Sequence, residues 1–331
     1  MKLFDLHCDT IYECCETGKA LRENDLHINR AAARRYTQYV QFFALSCGAR
    51  AVGETSGAPR DCLLDTDPDE RFARMLRTAE REFAANADWL VFCKTADDLT
   101  RAAAQGKAAA LLSIEGAELL PAREDALDLA YKAGVRLITL TWNYRSRFGC
   151  PAIIDQNEGL TEAGRALARG CAARGILPDV SHLSERGFWE LCETIDSPIL
   201  ATHSNARALC AHPRNLTDRQ FEEIARRSGL VGINLYTPFV VRQGEATVDD
   251  VIGHIEHFLA LPGGEGTLAL GCDLDGCDRL PDGIGGLGDI YRLADRMLAL
   301  GYKQSTVDAL FYDNAFAAMQ KWLCPKHNAE V

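Results

Sequence analysis

Several side chains able to bind a metal ion stand at the ends of apolar runs in this 331-residue chain. His7 follows the run 2–6, with Asp9 two residues further on. Glu115 closes the run 108–114, His182 follows 175–180, His203 follows 198–202, and Asp273 follows 267–271. Imidazole and carboxylate without thiolate suit Zn²⁺, Mn²⁺ or Fe²⁺ in an open hydrolytic site. His7 and Asp9 alternate by two, so on a straight strand both face the same way and can share one ion. His182 and His203 can hold a second, and the two oxygens of Glu115 could bridge a pair of ions roughly 3.5–4 Å apart. Such a pair brings the pKa of water near neutrality, giving a nucleophile for a carbonyl carbon. A lone histidine at a strand end is more often a satisfied polar residue, and Glu115 alone could cap a helix. The joint pattern of ligand-type residues at several strand ends carries the metal reading. Cys8 and Cys272 alternate away from this face and read as packing residues. Of the eight histidines, His27, His254, His257 and His327 fall in helical or terminal polar contexts and read as surface, while His212 is left open. No G-x-S-x-G is present, and no Ser or Cys has a nucleophile's setting.

The elements that must position these residues are legible. Eight candidate strands, 2–6, 39–45, 108–114, 135–141, 175–180, 198–202, 230–235 and 267–271, are mostly continuous apolar runs rather than alternating ones, as strands buried on both faces should be. Helical patterns over 69–87, 160–174, 184–193, 217–227, 248–261, 289–300 and 305–323 lie between or after them, several opened by Ser or Thr caps. Strand and helix in alternation predict an α/β fold, a single (β/α)8 TIM-type barrel over residues 1–331. A doubly wound sheet would call for a Gly-rich turn after the first strand, and Leu6-His7-Cys8-Asp9-Thr10 is not one. In the barrel, all the candidate ligands converge on the C-terminal face of the strands, where such enzymes do their chemistry. The segment 48–68, rich in Gly, Pro, Asp and Thr, reads as a long loop on that face.

Composition narrows the partners. With 36 basic and 47 acidic residues the net charge is −11, which repels phosphate backbones and argues against nucleic acid. No run of about 18 apolar residues offers a membrane span. The opening residues have no apolar h-region, which makes a cytoplasmic protein the expectation. The thirteen cysteines form no C-x-x-C pair and fit reduced, structural thiols. The sequence leaves a homodimer open.

Six segments occur in order: Asp5-Leu6-His7-Cys8-Asp9, Ser113-Ile114-Glu115-Gly116, Asp179-Val180-Ser181-His182, Thr202-His203-Ser204-Asn205-Ala206, Pro213-Arg214-Asn215-Leu216-Thr217-Asp218 and Gly271-Cys272-Asp273-Leu274-Asp275-Gly276. Together they resemble the membrane (renal) dipeptidase family of the amidohydrolase superfamily, from the N-terminus to near Asn314. The resemblance implies a binuclear zinc enzyme that hydrolyses dipeptides, often tolerating a D-residue at the C-terminal position. It implies two divalent ions, Zn²⁺ favoured, with His7 and Asp9 on one, His182 and His203 on the other, and Glu115 bridging. It puts Arg214 on the substrate carboxylate, where a guanidinium fork grips bidentately. Asp273 takes the place of the acid/base residue, with Asp275 a weaker candidate.

One position departs from the family pattern. Many relatives carry a His after the fourth strand, against the substrate carbonyl; here Trp142 stands there, followed by Asn143. Trp142 is expected to narrow the pocket, and Asn143, on the alternate face, would need a bend to reach in. Tyr236, after the seventh predicted strand, joins Arg214, Trp142 and Asn143 as a candidate substrate contact. The expected function is a metallo-dipeptidase acting on dipeptides with a free C-terminal carboxylate. The alternatives are hydrolysis of N-acyl amino acids or cyclic amides, and a barrel that binds metal without catalysis.

Overall fold

A computed structural model of the protein describes residues 1–47 and 67–324. The loop predicted over 48–68 falls outside the described residues except for Asp67 and Pro68, and so does His327. Among the described residues nine strands occur: β1 (Lys2–Cys8), β2 (Gln38–Ser46), β3 (Leu90–Phe92), β4 (Ala108–Glu115), β5 (Val135–Thr139), β6 (Leu177–Asp179), β7 (Leu200–Ala201), β8 (Leu230–Ile233) and β9 (Leu268–Leu270). Eight of them, all but β3, close a parallel barrel in the order β1-β2-β4-β5-β6-β7-β8-β9 and back to β1, with helices around it. All eight predicted runs became barrel strands. The unforeseen β3 pairs with Ala108–Ala110 of β4, while β5 pairs with Leu112–Glu115. Because β2 occupies the other edge of β4, β3 and β5 share one edge in succession.

Two apolar clusters separate the inside of the barrel from the outside. One takes Phe4, Leu6, Val40, Phe42, Ala109, Leu111, Leu137, Leu177, Leu200, Leu230 and Ala269, at least one residue from each barrel strand. This is the barrel interior, and it continues into Leu99 of the helix Ala96–Ala104 and Met319 of the helix Asn314–Trp322. The second cluster joins the outward strand residues, such as Leu3, Phe43, Leu112, Ile138 and Val231, to the surrounding helices. Burial on both faces is the reason these strands read as unbroken apolar runs.

The two clusters also correct the argument for His7. Phe4 and Leu6 face inward, so on a straight strand His7 would face out. Instead β1 carries an irregularity: Asp5 pairs with Gln41 but Cys8 pairs with Phe43, one extra residue on the β1 side. That bulge turns His7 inward and leaves Cys8 packed outside, buried in the outer cluster. His7 and Asp9 do reach the mouth together with Cys8 turned away, but the straight strand from which this was read does not hold: the bulge before Cys8 sets their direction.

Candidate active site

At the C-terminal mouth of the barrel, imidazoles and carboxylates converge. Glu115, the last residue of β4, sends Oε1 to within 3.0 Å of His182 Nε2, 3.4 Å of His7 Nε2 and 3.6 Å of His203 Nε2. His182 Nε2 and His203 Nε2 stand 2.9 Å apart. His7 Nε2 is 3.4 Å from Asp9 Oδ2 and 3.8 Å from Asp273 Oδ1. His7, Glu115 and His203 form one buried group able to hold an ion, and His7, Asp9 and Asp273 another. His182 and Asp273 adopt positive φ, 71° and 59°, a strained conformation for non-glycine residues of the kind that clusters at active sites. Gly276 is required beside them, because a Cβ there would collide with both Asp273 Oδ1 and Asp9 Oδ2.

Supporting groups fix these side chains. Asp179 Oδ1 accepts from the backbone N–H of Ser181 and of Thr202, each at 3.0 Å, and its Oδ2 accepts from the hydroxyls of Thr139 and Thr202. One fully buried carboxylate thereby ties the ends of β5, β6 and β7, ahead of His182 and His203. Thr202 Oγ1 lies 2.8 Å from His203 Nδ1. Asn234 Nδ2 donates to Asp273 Oδ2 at 3.1 Å, leaving Oδ1 toward His7. Sequence reasoning quoted Asp179 within a motif but gave it no role, and missed Asn234. The D-x-S-H spacing was the available signal for the first; the second had none.

The electrostatics show what the cluster lacks. Burial alone would depress the His7 pKa, yet Glu115, Asp9 and Asp273 outweigh it and raise it to about 10. Asp9 rises to about 7 through burial and the nearby Glu115 charge. Burial also opposes ionisation of Glu115, but His7 and His182 pull it down to about 2. His182 falls to about 4, mainly by burial and then by Arg214. A site that forces a proton onto one imidazole holds more negative charge than its own cations balance. Both ring nitrogens of His7 and Asp9 Oδ1 are buried without hydrogen-bond partners. Two ligand atoms on a tetrahedral zinc are about 3.3 Å apart, from bond lengths of about 2.0–2.1 Å, close to the His7–Asp9 spacing of 3.4 Å. The residues present thus fit divalent ions.

The other predicted residues surround this cluster. Arg214 is 4% exposed, and none of its three guanidinium nitrogens has a partner. Its carbon lies 5.2 Å from the Phe239 ring centre, and burial lowers its pKa to about 10. His212, left open by the sequence, accepts from the Arg214 backbone N–H at 3.2 Å and packs on Phe239 at 4.5 Å. Trp142 is half-buried, its ring centre 6.5 Å from that of His182. Tyr236 packs edge-on to Phe239 at 4.9 Å, and its backbone N–H donates to Asn234 Oδ1.

Three sequence expectations change here. The fourth predicted strand, 135–141, ends at Thr139, so alternation does not govern residue 143, and Asn143 Oδ1 lies 2.9 Å from His182 Nδ1. Asp275 is turned from the cluster, its carboxylate accepting from Thr10 Oγ1 and from the His27 N–H. His254 is 1% exposed rather than a surface group. Its Nδ1 accepts from Ala206 N–H, so Nε2 carries the proton toward the Val240 carbonyl.

A parallel barrel with a buried His/Glu/Asp cluster at its C-terminal mouth belongs to the class of metal-dependent hydrolases. The match to known proteins is narrower: the membrane dipeptidase family, peptidase family M19, is matched over residues 1–328, and the chain belongs to it. An uncharacterized protein from the pqqA 5′ region of Klebsiella pneumoniae is 36% identical over 258 residues, 75% of this chain and 94% of that one. An uncharacterized dipeptidase of Schizosaccharomyces pombe is 30% identical over 57% of this chain and 48% of its own. Among solved structures, a metallopeptidase from Rhodobacter sphaeroides, liganded with a phosphinate mimic of the dipeptide L-Ala-D-Ala, superposes with a TM-score of 0.86. It is 27% identical, with 98% of this chain and 99% of that one covered. Among the described residues no helix is long and apolar enough to cross a membrane.

Proposed function

We propose that this metallohydrolase is a binuclear dipeptidase acting on dipeptides with a free C-terminal carboxylate, D-residues at that position included, with Zn²⁺ as its metal. The observation that carries the reading is Arg214: a buried guanidinium with no partner, beside a metal-ligand cluster, is a site prepared for an anion. A carboxylate docked on its fork restores the hydrogen bonds that burial removed, and a longer peptide would continue where that carboxylate must sit. The likeness to a metallopeptidase that holds a phosphinate mimic of L-Ala-D-Ala supports both the substrate class and the D-residue.

His7 and Asp9 would hold one ion, His182 and His203 the other, and Glu115 both. Bound there, the ions would supply an activated water and polarise the scissile carbonyl. Asp273 does the proton work: with Oδ2 held by Asn234, Oδ1 takes the proton of the attacking water and returns it to the leaving amine nitrogen. Asn143 orients His182 through Nδ1, leaving Nε2 for the cluster. Trp142 forms the wall beside His182.

Elemental analysis of protein purified without chelator, combined with turnover of L-Ala-D-Ala, L-Ala-L-Ala and their N-acyl and C-amidated counterparts, tests the reading. Close to two equivalents of metal and hydrolysis restricted to free-carboxylate dipeptides are expected. One equivalent or none after reconstitution with Zn²⁺ or Mn²⁺, or no dipeptide turnover, overturns it.

A further inference from the structure

Two buried charges of opposite sign stand without partners near the mouth. Among the buried groups of the described residues, Arg214 is the one guanidinium with all three nitrogens outside hydrogen-bond geometry, and Glu118 the one carboxylate with both oxygens so. Glu118 is only 9% exposed. It lies in the 3-10 turn Ala117–Leu119, directly after the strand that ends in Glu115. Gly116, at φ 81°, makes the turn: a Cβ there would lie 2.9 Å from Glu118 Oε2 and 3.1 Å from Trp142 Cβ. The carboxylate is thus packed beside Trp142, the residue that walls the cluster at His182. Burial raises its pKa to about 7; the neighbouring Ser146 side chain and Trp142 backbone favour the charged form less strongly than burial opposes it. Burying a carboxylate so deeply is costly, and the dipoles around it offset that cost only in part, because neither oxygen has a partner in hydrogen-bond geometry.

We infer that Glu118 is a specificity residue that binds the free α-ammonium group of the substrate's N-terminal residue. The assignment rests on the dipeptidase reading above. The chemistry of the substrate supplies the match. In a dipeptide the ammonium and the carboxylate lie on opposite sides of the scissile amide. With that amide at the ligand cluster, the two charges point to different sectors of the rim. Glu118 follows β4 and Arg214 follows β7, three strands apart around a ring of eight. A zwitterion lying across the mouth satisfies both orphaned groups at once, whereas an N-acyl amino acid leaves Glu118 buried and unpaired.

The test compares Ala-Ala with N-propionyl-alanine, the same molecule with hydrogen in place of the ammonium, in the metal-loaded wild type and in Glu118→Gln. The expected wild type prefers Ala-Ala. Glu118→Gln keeps its metal and lowers kcat/KM for Ala-Ala roughly 10- to 100-fold, mostly through KM, as for a lost charge-assisted hydrogen bond. N-propionyl-alanine, followed by its kcat/KM or by its Ki against Ala-Ala where turnover is slow, is unchanged. The thermal midpoint of Glu118→Gln stays level or rises, since the lost charge had no partner. An unchanged Ala-Ala preference in the variant, or an equal loss on both compounds with a lower midpoint, overturns the assignment of Glu118 alone. A wild type that hydrolyses no dipeptide overturns the dipeptidase reading itself, and one that handles both compounds equally well favours acyl amino acids and removes the ammonium from recognition.

Discussion

Replacing Arg214 by Met separates binding from folding, because the two should move in opposite directions. The guanidinium is 4% exposed and unpartnered. Its pKa falls from the ordinary 12.5 to about 10, chiefly by burial, with Asp273, Glu115 and Asp179 resisting. That drop corresponds to about 3 kcal/mol of charge held against its preference, an upper bound on what Arg214→Met returns to stability. A gain of about 1–3 kcal/mol moves the thermal midpoint up by a few degrees in a domain of this size. Catalysis should suffer instead. Breaking a buried charge pair by removing one partner costs about 3–5 kcal/mol, so kcat/KM for a free-carboxylate dipeptide should fall at least roughly 100-fold. The C-terminal amide of the same dipeptide has no carboxylate to lose and should be hydrolysed by both proteins at similar, low rates. Scanning calorimetry with equal metal loading and steady-state kinetics on the acid and amide pair read both effects. A variant that melts below the wild type while losing acid and amide turnover equally would refute the reasoning and make Arg214 structural.

Other residues can be probed in the same way. Asp273→Asn should keep its metal content and lower kcat by about 100-fold or more, the usual loss for a missing acid/base group; parallel loss of metal would mark it as a ligand instead. Trp142→Ala should admit bulkier side chains at unchanged metal content, and Trp142→His should raise turnover of small dipeptides; an unaltered substrate profile in both would strip the position of a role. His254 is held neutral, its folded pKa depressed first by burial. Its contribution to stability is therefore complete above its unfolded pKa near 6.5 and is lost as pH falls through the lower folded value, by about 1.4 kcal/mol for each unit of depression. Chemical denaturation of the wild type and His254→Gln from about pH 7.5 to about pH 5 should give a shallower slope in the variant; identical slopes would exclude this histidine.

What the sequence determined by itself is the set of barrel strands and the chemical types gathered at their ends. Parallel strands buried on both faces must be apolar throughout, and ligand chemistry requires imidazole and carboxylate, so both leave local marks that need no knowledge of the fold. Ordered motifs were enough to mark the family, because five of the six place a functional type at a strand end and the sixth carries Arg214 in the connection after β7. Direction is what the tertiary structure decided. His7 faces the mouth only because β1 carries one extra residue opposite β2, and a bulge depends on the partner's register, which no local pattern encodes. Asn143 meets His182 because β5 stops at Thr139, and where a strand stops depends on how long its neighbours pair with it. His254 sits in a polar-looking helix yet lies buried between the Ala206 N–H and the Val240 carbonyl, 48 and 14 residues away in sequence. Along the chain Arg214 is marked only by its motif and Glu118 by nothing; packing alone takes water from both and leaves them without a partner in hydrogen-bond geometry.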